Sequence, residues 1–168
     1  MLQSHIDVLQ QAVELLEPMT NEEFCDVVRP HLSGSIGQHL RHVIDHYLAL
    51  EQGFASGLVD YNQRNREANI EVSVAAARDT IKAIQKWISS LTKTDLTKSV
   101  EVHSDVSISQ TMSVDCTSTL AREIEFVSSH AIHHFSLIGI IRSLQGASVP
   151  EHFGYAPATI TYLSRCGE

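Results

Sequence analysis

The apolar rhythm of residues 118–145 constrains this chain's fold more than any other feature. Leu120, Ile124, Val127, Ala131, His134, Ile138 and Ile141 recur in alternating steps of four and three residues. That spacing paints one stripe along a long helix. Gly146 and Pro150 follow it and supply the stop. Three other stretches repeat the pattern. Residues 2–17 carry Ile6, Leu9, Val13 and Leu16, and Pro18 closes them. A helix opening at Ser35 carries Ile36, Leu40, Val43, Tyr47, Leu50 and Phe54, with Gly53 and Gly57 at its end. A helix over 74–91, capped by Ser73, carries Ala77, Ile81, Ile84, Ile88 and Leu91. Each stripe must be buried against another, so the expected architecture is an all-α four-helix bundle, one domain over residues 1–168.

Local signals fill in the connections. Ser35 and Gln38 form an S-x-x-Q capping box, and Thr20 with Glu23 predicts another on a short helical turn. Residues 58–72 break the helical period and read as a long polar connection with some order of its own. Residues 97–116 switch to period two: Val100 and Val102, then Val106, Ile108, Met112 and Val114, alternate with polar residues. This predicts a β-hairpin inserted before the last long helix, turning at Ser104-Asp105 and packed on the bundle. A last short helix is expected after Pro157.

Charge narrows the partners. Twelve Lys and Arg against twenty Asp and Glu leave a formal charge of −8. Nucleic acid and anionic membrane surfaces both reward clustered cations, so neither is expected as a partner. No uninterrupted apolar run approaches the roughly 20 residues of a membrane span, and residues 1–16 read as a helix start and not as a signal peptide. Cys25, Cys116 and Cys166 are isolated and odd in number, which reads as reduced, inert thiols in a cytoplasm.

Histidine is the anomaly: ten in 168 residues, six of them in two clusters. His39, His42 and His46 lie on the second long helix, beside its stripe; His130, His133 and His134 lie on the last. His42/His46 and His130/His134 share the i, i+4 spacing, which sets two side chains about 40° apart, one turn above the other. Two imidazoles from one helix and one from another can close around a transition metal. His39 and His46 are about 10.5 Å apart along the axis and cannot both join one mononuclear site, whereas His42 can pair with either. His133 points about 60° away from His130, which suits a place behind a ligand or at the surface better than one on the ion itself. The spacing alone leaves a second reading open, in which these are core histidines bonded to carbonyls or carboxylates.

Other chemistries lack their motifs. There is no Glu-x-x-His, as carboxylate-bridged di-iron bundles require, and no H-E-x-x-H of a zinc protease. A Gly-rich phosphate loop and a nucleophile elbow are also missing.

Two short motifs carry a family likeness. S-I-G-Q-H-L-R-H-V at 35–43 and H-A-I-H-H at 130–134, in this order on four helices, resemble the DinB/YfiT-like superfamily of metal-binding bundles. The resemblance covers most of the chain. It maps metal ligands onto His42, His130 and His134, and implies one divalent ion (zinc, nickel, iron or manganese) with positions open to water or substrate. His39, His46 and His133 are imidazoles beyond the family's minimal pattern, and His46 is the best substitute ligand. The resemblance also implies a homodimer, and it includes thiol transferases that join a low-molecular-weight thiol to an electrophile, and hydrolase-like relatives.

The expected function is therefore a cytoplasmic, metal-dependent thiol transferase or hydrolase acting on a small molecule. The alternatives are a metal-binding or stress-response module without turnover, and a structural bundle. His46 and Glu123 are the expected catalytic groups, with Asp45 and His133 as further candidates for proton transfer. The polar stretch containing Asp60, Tyr61, Arg64, Arg66 and Glu67 reads either as a solvated loop or as a cover over the bundle mouth that binds a carboxylate.

Overall fold

The computed structural model describes residues 2–63 and 68–167. In chain order the elements are α1 (Leu2–Leu16), α2 (Asn21–Cys25), α3 (Ile36–Ser56), β1 (Leu58–Asp60), α4 (Ala68–Val72), α5 (Val74–Ser90), α6 (Lys93–Leu96), β2 (Ser99–Asp105), β3 (Ser113–Thr119), α7 (Leu120–Leu144) and α8 (Pro157–Cys166). The four long helices close a ring: α1 packs on α5 and α7, and α3 packs on the same two. Their stripes meet in a core that includes Leu9, Leu16, Leu40, Ile44, Tyr47, Ile81, Ile88, Ile124 and Ile138.

The capping signals act where the sequence places them. Ser35 accepts from the Gln38 backbone N–H while the Gln38 side chain accepts from Ser35, and Thr20 and Glu23 make the same reciprocal pair at α2. Ser73 caps α5. Gly57 takes the left-handed conformation that ends α3, with φ 86°.

α7 is long and apolar enough to cross a membrane by length and composition. Here Ile124, Val127, Ala131, Phe135, Ile138 and Ile141 are spent on the bundle core. The expected core position of His134 belongs to Phe135, which is fully buried, and His134 stands half-buried beside it. The steps Ala131–Phe135–Ile138 (four, then three) keep the same rhythm as Ala131–His134–Ile138. Phe135 has the apolar side chain for the core, which releases His134 to the helix edge.

The hairpin forms, but its turn is not at Ser104-Asp105. Those residues stay in β2, with Asp105 paired to Ser113, and the chain reverses over 106–112. Two bonds hold Asp105 in the ladder: its N–H donates to Asn62 Oδ1 and its carboxylate accepts from Ser113 Oγ. Val106, Ile108, Met112 and Val114, expected to alternate inward, are exposed; Val100 and Val102 make the apolar contact with the bundle. The connection after α3 contributes a third strand, β1, parallel to β2 with Val59 opposite Val102. Gly53 permits this: a Cβ there would fall 2.6 Å from the Val59 Cα, so only glycine lets β1 lie this close to α3. β1 then delivers Tyr61 to the end of the bundle where the histidines gather.

Candidate metal centre

α3 and α7 are neighbours in the ring, and their histidine edges face each other. His42 and His130 have ring centroids 5.0 Å apart. His46 lies to one side of this edge, 4.5 Å from His42 and 4.3 Å from His130. His134 lies to the other, 4.8 Å from His42 and 4.6 Å from His130. Two triangles of imidazoles therefore share one edge. His39 extends the row beyond His134, with its Nδ1 3.0 Å from His134 Nδ1. His133 is exposed, with its ring 5.2 Å from that of His134. His39 and His46 sit at opposite ends, as their separation along α3 requires.

The donor chemistry fits a transition ion. One nitrogen from each of His42, His46 and His130 lies within 4.8 Å of the others, a set that could hold a metal and in which His46 stands where the sequence leads one to expect His134. His46 Nδ1 donates to the His42 carbonyl at 2.9 Å, which makes Nε2 the lone-pair nitrogen of that ring. His130 Nε2 is buried and has no hydrogen-bond partner among the described residues. Leaving such an atom unpaired costs about 1–3 kcal/mol, and an ion would remove that cost. Burial, followed by the charges of neighbouring histidines, holds His130 down to about pKa 4 and His134 to about 3, and lowers His39 in the same way. These rings are neutral near pH 7, the state in which imidazole is a ligand.

A cleft of about 530 Å³ opens beside His42 and His46. Tyr61, stacked on His46 at 5.4 Å, and Phe126 form its aromatic wall. The Tyr61 hydroxyl donates to Glu123 Oε2 at 2.8 Å, and Ser118 Oγ donates to Glu123 Oε1 at 2.6 Å. Both carboxylate oxygens of Glu123 are thus engaged, and Tyr61 connects it to the His46 ring. Burial and the adjacent Glu123 raise the Tyr61 hydroxyl well above its usual pKa, so it stays a donor. Asp45 is buried at the cleft's inner edge, 3.8 Å from Arg41 Nε, and Arg41 also pairs with Glu71.

Of the polar stretch, Tyr61 belongs to this wall and Asp60 ends β1, while Arg64, Arg66 and Glu67 lie outside the described residues. Sequence reasoning missed Phe126 and Ser118. Phe126 stands one turn before His130 on the same helix edge, a signal present in the sequence. Ser118 reaches Glu123 only because β3 runs straight into α7.

The fold and site together define a helical bundle with a small sheet, in which an α3–α7 histidine cluster could hold a metal. The sequence profile of the DinB superfamily matches residues 4–138, and the chain belongs to that superfamily. In structure it is similar to a DinB-like protein, YjoA, from Bacillus subtilis, with a TM-score of 0.60 at 15% identity, covering 90% of this chain and 96% of that one. In sequence it is similar to "FK506-binding protein 5" of Rhizopus delemar, 32% identical over 108 residues, or 64% of this chain. The match spans only 28% of that relative's length.

Proposed function

We propose that His42, His130 and His134 hold one divalent ion, with zinc, nickel, iron or manganese as candidates, and that the site serves a transfer or hydrolysis reaction on a small molecule. This reading is supported by the triangle of centroids, 5.0, 4.8 and 4.6 Å, and by the family pattern; the donor nitrogens of His42, His46 and His130 also converge beside the cleft, which makes His46 the alternative third ligand. A +2 ion on neutral imidazoles lowers the pKa of a thiol or water, which supplies a nucleophile near neutral pH. The protein's own groups do the rest. His46 Nε2 accepts a proton at the cleft wall. Tyr61 fixes the His46 ring by stacking and is itself held by Glu123. Phe126 and Val102 limit water on the apolar side of the cleft. A low-molecular-weight thiol is the proposed substrate.

The test is a panel of small thiols and electrophiles with metal-loaded protein. The expected rate falls on chelation and returns with metal. His46→Ala and Glu123→Gln are expected to lower the rate while metal stays bound; metal loss in His46→Ala would instead make His46 the third ligand. No metal-dependent rate above background, with metal content verified, would move the assignment to a binding module without turnover. That second reading draws support from the Rhizopus delemar relative, in which the matched segment is a minor part of a longer chain.

A further inference from the structure

We infer that His39 is a positioning residue for the metal centre, acting through His134. The inference rests on His134 being a ligand, as proposed above. The two Nδ1 atoms are 3.0 Å apart, so one carries the hydrogen and the other the lone pair. A ring that ligates through Nε2 in its neutral form must carry its hydrogen on Nδ1. His134 Nδ1–H then donates to His39 Nδ1, and His39 carries its own hydrogen on Nε2. The bond fixes the tautomer of His134 and the rotation of its ring about the Cβ–Cγ bond.

Two comparisons within the cluster support this role. His46 has its Nδ1 tied to a carbonyl of its own helix, so nothing from a second element is needed to orient it. His134 gets its Nδ1 partner from the facing helix, which makes its orientation depend on α3–α7 packing. The second concerns His39 and its place on α3. It is one helical turn from His42 on the side away from His46, and its ring reaches His134 with a centroid separation of 5.3 Å. An imidazole as acceptor is weaker than the carboxylate that often fills this place in metal sites, and it binds the His134 proton without adding negative charge.

The experiment is titration of the metal-free protein with Co²⁺, reading affinity and the visible ligand-field spectrum. His39→Ala is expected to weaken Co²⁺ by about 10- to 100-fold, the usual effect of losing such a partner. His39→Gln, whose side-chain carbonyl can accept the same hydrogen, is expected to recover most of the loss. The double variant His39→Ala/His134→Ala is expected to bind no more weakly than His134→Ala alone, because the first effect passes through the second residue. Wild-type affinity and spectrum in His39→Ala beside a loss in His134→Ala would overturn this role alone. Additive losses in the double variant, or no recovery with Gln, would also overturn it. Wild-type affinity in His134→Ala would instead overturn the ligand assignment beneath it. Thermal melting of each metal-free variant separates a folding defect from a binding defect.

Discussion

The α3–α7 cluster and the three-stranded sheet treat the same side chain in opposite ways. In the cluster, burial and crowding by other imidazoles push His130 and His134 far down. On β2, His103 faces Asp115 across the ladder and donates to its carboxylate at 2.7 Å, which raises its pKa. One environment keeps imidazole neutral and ready to give a lone pair to a metal. The other favours the protonated ring and binds it to a neighbouring charge. Histidine count by itself carries no function; what decides is whether the fold removes water from the ring and supplies other lone pairs or a carboxylate.

The largest break in that comparison is at the ligands. Alanine at His42, His130 or His134 is expected to strip the metal retained through purification and leave only weak binding of added ion, whereas alanine at His103 or His152 leaves the retained metal unchanged. Elemental analysis of each purified variant reads the difference. Metal loss in His103→Ala would mean that the sheet histidines belong to the site.

A smaller effect concerns pH and the metal-free fold. His130 and His134 have folded-state pKa values below the value near 6.5 of the unfolded chain. Above pH 6.5 they are neutral in both states and cost nothing. As pH falls through 6.5 the unfolded chain takes up protons that the folded chain refuses, so stability drops, and it goes on dropping toward about pH 4. Melting curves of chelator-treated protein should therefore lose stability between pH 6.5 and 4 more steeply than those of a His130→Ala/His134→Ala variant. Metal added in excess should raise the melting temperature with the logarithm of its concentration, about 2.7 kcal/mol at one hundred times Kd, and this gain should fade below about pH 6. Equal pH slopes in the two proteins would contradict burial of neutral rings.

The smallest effect is at His103. Its folded pKa is raised, so its bond to Asp115 contributes below the unfolded value and is lost as pH rises through the folded one. Nuclear magnetic resonance of the ring protons should show a titration above 6.5 that returns to the ordinary value in Asp115→Asn. Global stability should barely move, because the pair stands at a solvated sheet surface.

The same contrast explains what was legible in the sequence. The four stripes, the capping boxes at Thr20 and Ser35, and the helix after Pro157 follow from local periodicity and capping chemistry, and the fold keeps them. The hairpin turn was misplaced because alternation of Val106, Ile108, Met112 and Val114 mimics a buried strand. Bonds from distant residues hold Asp105 in β2: its N–H donates to Asn62 Oδ1 and its carboxylate accepts from Ser113 Oγ. β1 is three residues long and is defined by its parallel partner, so no local signal marks it. At the site, spacing along α3 and α7 is enough to single out the histidines that the fold gathers, but not which three nitrogens converge. The order His39–His134, His42, His130–His46 along the row depends on how the two helices cross, and the Tyr61–Glu123 link depends on the sheet. Phe135 shows the limit of pattern reading: four-then-three and three-then-four steps look alike until a core chooses one.

The central claim is that this family fold holds a metal on His42, His130 and His134. Elemental analysis of protein prepared without a tag or chelating resin tests it most directly, beside a variant with alanine at all three positions. The account predicts about one divalent ion per chain in the wild type and none in the variant, with helical circular dichroism retained in both. Full metal retention in the triple variant would contradict it.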